Sequence, residues 1–439
     1  MSHYAILILI ILLIMSIPAS APSFATATAG KGESLVGQKG VYSVTSFGAS
    51  RRSGMLVPAA KGDGKTDDTA AFQKALDAAG KDGGGIVFVP TGNYMIKGHL
   101  ELPEAVTLEG VFQAPTARTI NKGSTLLAVE GKGKDSGNPF IFLRSDSCVK
   151  GLTVLYPEQD KKNPVPYPWC IGGAGDNCSI IDVLLVNPWQ AVDFGTAPCG
   201  RHLIKGLYAH PLHKGIFVDQ CYDVGRIEDV HLWPFWSADE AMMKFLQSQA
   251  TAFIFGKTDW EYVNNCFAIW YKVGFQFGDF GHGPGNVILN TSGSDIGPTA
   301  VLVENTQGHA GVVWTNCQFM AGIEVKETNT GPVKFNNCGF WGVGGMTTTH
   351  ANIKGSGHVF FNECHFITWD TKNDGSPAIM ADGNGLTVSS CDFMDAGKKQ
   401  IILGPNAKAT IIMGNRFRGG QKIENNSEGK VEMGLNVEE

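Results

Sequence analysis

Short alternating apolar runs recur along the middle of this chain at nearly constant spacing. Each unit has a small or acidic residue, an alternating apolar pair, a large polar or aromatic residue and a proline. Gly151-Leu152-Thr153-Val154-Leu155-Tyr156-Pro157 is followed by Asp182-Val183-Leu184-Leu185-Val186-Asn187-Pro188, Gly206-Leu207-Tyr208-Ala209-His210-Pro211 and Asp229-Val230-His231-Leu232-Trp233-Pro234, the last three prolines lying 23 residues apart. A second ladder places a small residue before apolar-x-apolar, as in Ala191-Val192-Asp193-Phe194, Gly215-Ile216-Phe217-Val218, Gly274-Phe275-Gln276-Phe277 and Gly322-Ile323-Glu324-Val325. A third reads Asn316-Cys317-Gln318-Phe319, Asn337-Cys338-Gly339-Phe340, Glu363-Cys364-His365-Phe366 and Ser390-Cys391-Asp392-Phe393, with Asn415 in the cysteine place at the end. Period-two alternation sends one side chain inward and the next outward. A unit of about 22 to 27 residues is too short for a helix pair and suits one turn of three short strands, so the expected fold is all-β, a parallel β-helix.

Two helices interrupt the pattern. Thr66 or Asp67 is expected to cap a helix whose apolar face is Ala71, Phe72, Ala75, Leu76 and Ala79, with Gly80 stopping it. The nearby Gly62-Asp63-Gly64 and Asp67-Asp68 have neither Walker nor EF-hand spacing, so this helix is expected to plug the open first coil. Ser237-Ala238-Asp239-Glu240 reads as a capping box opening a short inserted helix to about Gln249. Residues 5–17 are apolar apart from one serine and residues 1–29 carry no Lys, Arg, Asp or Glu, the pattern of a secretory signal peptide. The expected organisation is residues 1–29 as signal, 30–425 as one β-helix domain and 426–439 as a polar tail. The expected location is secreted or periplasmic, with cell-surface association open and no stable membrane insertion after signal cleavage.

The net charge of -6 argues against nucleic acid or anionic membrane as a partner. Ten cysteines in an exported chain would ordinarily mean disulfides, but most recur at repeat positions, where a small apolar side chain stacks on its copy in the next coil. Cys170 with Cys178 is the pair to test as a bridge.

Val44-Thr45-Ser46-Phe47-Gly48-Ala49, the Gly62-Asp63-Gly64-Lys65-Thr66-Asp67-Asp68-Thr69 run and Gly83-Gly84-Gly85-Ile86-Val87-Phe88-Val89-Pro90-Thr91-Gly92-Asn93-Tyr94 resemble the N-terminal signature of the pectate-lyase-like superfamily, the rhamnogalacturonase and epimerase type. The resemblance implies a right-handed parallel β-helix with an N-terminal helical cap. Its bearers include hydrolases, lyases and epimerases, so it leaves the chemistry open. Gly281-His282-Gly283 matches one polygalacturonase-like element; the Asn-Thr-Asp and Arg-Ile-Lys elements and a paired Asp-Asp on a middle coil are missing, and no catalytic residue carries over.

Candidates therefore come from position. Stacking would set Tyr208 beside His231 and His210 beside Trp233 on one outer face, an aromatic and polar groove for a polysaccharide, with Trp236 and Arg201 as further substrate contacts. Arg201, His202, Lys205, His210, His213 and Lys214 form a basic stretch without an acid, suited to a uronate-bearing, pectin-like glycan. For β-elimination His210, His213, Lys214 and Arg226 are the candidate base and charge-stabilising groups, and calcium is the one cofactor such chemistry would admit. For glycoside hydrolysis of the polygalacturonase or rhamnogalacturonase type the candidate carboxylates are Asp193 and Asp219. A non-catalytic polysaccharide-binding β-helix is the remaining alternative.

Overall fold

The computed structural model describes residues 39–46, 58–111, 122–342 and 347–439. The expected signal peptide, residues 1–29, lies outside the described residues. From Gly40 onward the described chain forms one unit, a parallel β-helix whose strands fall into a thirteen-stranded sheet and a larger one. One coil shows the plan: Gln190–Phe194 lies in the thirteen-stranded sheet, a loop follows, and Leu203–Ala209 lies in the larger sheet before the turn into Lys214–Val218 of the next coil. Leu203–Ala209 bends at Gly206, so the larger sheet has two arms. The thirteen-stranded sheet is called face one here, and the arms before and after the bend are faces two and three.

That bend explains the small, acidic and asparagine residues of the repeat. Gly151, Asp182, Gly206, Asp229, Asn265, Thr291, Asn316, Asn337, Glu363, Ser390, Gly414 and Leu435 all have φ between 50° and 70°. Glycine reaches this left-handed region freely and Asn or Asp at modest cost, which is why those types dominate the position. The first and third sequence ladders are one column. Strand register runs Thr153 to Leu184, Tyr208, His231, Phe267, Gly293, Gln318, Gly339, His365, Asp392 and Arg416 without a break. The two parts looked different because the outward residues change from aromatic to small and polar while the inward ones stay apolar.

Inside, like stacks on like. Phe319, Phe340, Phe366, Phe393 and Phe417 form a column with ring centroids 4.8 to 5.4 Å apart. Each buried phenylalanine contributes about 1.5–3 kcal/mol relative to exposure. Cys266, Cys317, Cys338, Cys364 and Cys391 follow the left-handed residue, and each thiol donates to the carbonyl two residues before it at 3.1 to 3.3 Å. All ten cysteines are free, and the pair singled out for testing, Cys170 and Cys178, forms no bridge: Cys170 sits against Tyr156 on face one, whereas Cys178 interacts with Cys199.

The first helix, Thr69–Lys81, buries the expected Ala71, Phe72, Ala75, Leu76 and Ala79, but it starts later than the sequence suggested. Asp68 occupies the cap position and spends its carboxylate on Lys61 and Gly62 N–H at 2.8 and 3.1 Å, while Asp67 accepts from the Thr69 N–H at 3.1 Å. The inserted helix, Glu240–Gln249, is capped by Asp239, which accepts from the Ala241 N–H at 3.0 Å. Ser237, expected to cap it, donates instead to the Lys161 carbonyl at 3.3 Å. Residues 426–439, expected as a tail, form the last strands: Lys430–Gly434 pairs with Ala409–Met413 and Val437–Glu438 with Arg416–Phe417.

Candidate functional site

The loops that leave face one gather the ionisable side chains. Cys221 bridges Thr258, with the Asp259 N–H donating to the Cys221 carbonyl at 3.0 Å, so residues 221–223 run beside 257–260. Gln307 ties in the next loops by donating to the carbonyls of Thr258 and Gly283, both at 3.1 Å. This frame holds a cavity of 380 Å³ lined by Lys257, His282, Asn305, Gln307, His309 and Thr330. Beside it the side chains of Asp223 and Asp259 come within hydrogen-bonding reach of each other. That interaction with Asp223, then desolvation, pushes the Asp259 pKa above the usual range while the nearby His309 pulls it down.

An aromatic strip on the outer side of face one leads to these loops. Trp169 stacks on Phe217 at 6.3 Å, and Phe217 meets Phe280 at 5.4 Å on the loop that carries His282. Cations sit over three rings: Arg144 over Phe142 at 4.9 Å, Lys214 over Trp169 at 5.9 Å and Lys257 over Tyr222 at 5.7 Å. A cavity of 740 Å³, lined by Gln73, Asp77, His99, Glu101, Phe142 and Arg144, opens at the N-terminal end. Rings offer a platform for sugar C–H faces, and the ammonium and guanidinium groups offer partners for carboxylates.

A separate strip lies on face three. Tyr208 and His231 are in register, and His231 stacks on Trp233 at 4.2 Å; Tyr208 meets Trp233 edge-on at 6.0 Å. Phe235 and Phe267 extend it at 4.5 and 5.3 Å. Burial lowers the His231 pKa to about 4.

The other expected residues disperse. His210 is not on the outer face with Trp233: it is fully buried, its Nδ1 accepts from the Trp236 N–H at 3.2 Å, and desolvation lowers its pKa to about 3. Trp236 half-covers it, with Lys161 over the indole at 5.7 Å. His213 occupies the turn into face one, stacked on Trp189 at 4.6 Å, and burial lowers its pKa. Asp193 and Asp219 do not face each other: Asp193 pairs in register with Phe217, two residues short of Asp219. Both carboxylates are bound to backbone N–H groups, Asp193 to Gly195 and Thr196 at 3.0 and 2.8 Å, Asp219 to Gln220 and Lys257 at 2.9 and 2.6 Å. Arg226 lies on face two between Leu203 and Tyr262, and Arg201 is paired with Asp176. Of the expected catalytic set, Lys214 and Asp193 stand on face one along the strip, Asp193 in register with Phe217. The basic stretch is therefore not one continuous patch: Arg201 and Lys205 are exposed but paired with Asp176 and Glu228, Lys214 stands on face one, and His202 and His210 are buried.

Sequence reasoning passed over Asp259, Lys257 and His309. The signal was the equivalence of Cys221-Tyr222-Asp223 with Thr258-Asp259-Trp260, hidden because the inserted helix breaks the spacing between those coils.

Residues 59–140 match the family model "Rhamnogalacturonase A/epimerase, pectate lyase-like". Over most of its length the chain superposes on the N-terminal fragment of gene product 12 of bacteriophage phi29, with TM-score 0.50 and 13% identity, covering 90% of this chain and 70% of that one. In fold, the chain is a parallel β-helix. Alginate lyase 7 of Azotobacter vinelandii is 51% identical over 57 residues, 13% of this chain and 5% of that protein. The A-module of mannuronan C-5 epimerase AlgE6 from the same organism gives TM-score 0.49 at 15% identity, covering 91% of this chain and 99% of the module. The chain thus spans only about 5% of the length of the first curated relative it matches.

Among the described residues no helix is long and apolar enough to cross a membrane. Among them, one group of three metal-capable side chains converges: His202, Cys221 and Glu261, all buried. Its mixed nitrogen, sulfur and single-carboxylate set does not suit calcium, which takes six to eight oxygens. Hydrogen bonding accounts for it: His202 Nε2 meets Glu261 Oε1 at 3.0 Å and Nδ1 meets the Cys199 carbonyl at 3.1 Å. Burial opposes a charge on His202, but Glu261 and Cys221 outweigh it and hold its pKa well above the ordinary value.

Proposed function

We propose that this chain is an exported polysaccharide-acting enzyme that cleaves an acidic, uronate-containing glycan by β-elimination in the loops beyond face one. The observation that carries the reading is the close pair Asp223 and Asp259, beside the cavity lined by Lys257, His282 and His309 and at the end of a cation-topped aromatic strip. The lyase named among the relatives and the family model are in keeping with it.

Hydrolysis needs two carboxylates on opposite sides of the scissile bond, roughly 5 to 9.5 Å apart. A hydrogen-bonded pair is too close for that role, which favours elimination. In that reaction His309 takes the proton from the carbon next to the uronate carboxyl. The carbon–oxygen bond to the leaving sugar breaks, a carbon–carbon double bond forms, and the leaving oxygen takes a proton held by the Asp223–Asp259 pair. Lys257 and the protonated carboxyl offset the negative charge that builds on the uronate.

Incubation with pectate, alginate and other polyuronates, read by the ultraviolet absorbance of the unsaturated product, tests the proposal. Product is expected from at least one polymer, with a loss of about 10²-fold or more for His309→Ala at unchanged thermal stability. New reducing ends without the absorbance would mean hydrolysis, and no new ends on any polymer would mean a binding protein.

A further inference from the structure

The strip on face three belongs to a different part of each coil from the Asp223–Asp259 corner, and its chemistry differs. Leu184 and Val186 form a small apolar cluster outside the main core, with Leu155, Tyr208, Phe235 and Trp236 packed against it. Tyr208, His231 and Phe267 follow one another in register on successive coils, and Trp233 and Phe235 extend the surface sideways. All these rings stay partly exposed. At the C-terminal end Gly293, in register between Phe267 and Gln318, puts no side chain on the strip. Two residues on, Asp295 pairs with Ile269 and makes no hydrogen bond or ion pair with any described side chain. A half-buried carboxyl without a partner at the end of an aromatic platform is a ready acceptor for hydroxyl groups.

We infer that this face-three strip, from Tyr208 to Asp295, is a second glycan-binding surface that takes an uncharged stretch of polysaccharide. Charge selects that occupant. Three cations lie over rings of the face-one strip, whereas Lys161, over Trp236, is the one recorded over a ring of the face-three strip among the described residues. Desolvation lowers the His231 pKa to about 4 and raises that of Asp295 to about 7, so Lys161 at the Trp236 edge is the one positive charge the described strip offers to a uronate. The sugar faces would lie on Tyr208, Trp233 and Phe267 and a hydroxyl on Asp295. This surface would hold polymer whether or not the other site eliminates.

Affinity electrophoresis of the full chain in gels containing galactan, xyloglucan or polygalacturonate is the test. Retardation is expected in at least one neutral gel, weakened at least about tenfold by Trp233→Ala and by the near-isosteric Asp295→Asn. Retardation by polygalacturonate and formation of unsaturated product should be unchanged in both variants, and Asp295→Asn covers the case in which Trp233→Ala fails to fold. Three outcomes would overturn the inference: no retardation of the unaltered protein in either neutral gel, neutral-gel retardation that both variants keep, or self-association of the chain that Trp233→Ala abolishes, which would assign the strip to a second copy. Because the neutral gels report binding alone, a failure there is distinct from a failure of elimination.

Discussion

Burial decides the charge of several side chains, and stability should record it. His210 has a folded-state pKa of about 3 against an ordinary 6.5. Below pH 6.5 the unfolded chain binds a proton that the folded chain refuses, so the His210 contribution is complete above 6.5 and is lost as pH falls towards 3, at about 1.4 kcal/mol per pH unit. Asp295 behaves oppositely. Its carboxyl, raised from 3.8 to about 7, weakens the fold as pH climbs through that window. Asp295→Asn is expected to stabilise the protein at pH 8 by about 1–3 kcal/mol and to do nothing at pH 4. Urea midpoints from pH 4 to 8 check both: the slope of stability between pH 6.5 and 5 should shrink in His210→Asn, and an unaltered slope would be wrong for a histidine buried neutral. Asp223 raises the Asp259 pKa, so the elimination rate is expected to fall as pH rises through that raised value, and the fall should move or vanish in Asp223→Asn.

At the scale of the element, the left-handed corner does most to set the coil. Asn337 has φ 50° and sits between faces two and three, where its side chain donates to Asn316 at 2.8 Å. Asn337→Gly should cost little, whereas Asn337→Val should cost about 1–2 kcal/mol because a β-branched residue clashes there. Thermal melts of the two variants distinguish the corner from a simple loss of one hydrogen bond, which both share. This corner is also where the fold was most legible in the sequence. Gly206, Asp229 and Asn337 with apolar neighbours at fixed spacing announce a turn and two strands, and Ala71, Phe72, Ala75, Leu76 and Ala79 announce the buried face of the first helix. Helix starts were less legible, because Asp68 had a competing partner at Lys61, seven residues before it, and Ser237 one at the distant Lys161. Tyr208 next to His231 followed from register alone; the burial of His210, one residue beyond the strand, depended on residues 233–236 folding back over it. Asp259 and His309 were out of reach because their meeting with Asp223 needs three loops of different length to align.

Over the whole molecule, stacking turns residues distant in the chain into continuous surfaces with different characters. Face one carries cations over rings and ends at the Asp223–Asp259 pair; face three carries aromatic rings and a carboxyl with no partner among the described side chains. In a solenoid each coil is stabilised mainly by its neighbours, so the last strands matter beyond their length. Ending the chain after residue 425 would uncover the buried Ile412 and Phe417, and should lower the melting temperature while leaving elimination, far along the stack, intact in the cold. The most direct single measurement is a crystal structure of His309→Ala with a bound oligouronate that the unaltered protein cleaves. The sugar chain is expected against Trp169 or Tyr222, with a carboxylate near Lys257 and the scissile oxygen within about 3 Å of the Asp223–Asp259 pair. An oligouronate lying only on Tyr208, His231 and Trp233, with the acid pair untouched, would contradict the proposed site of cleavage.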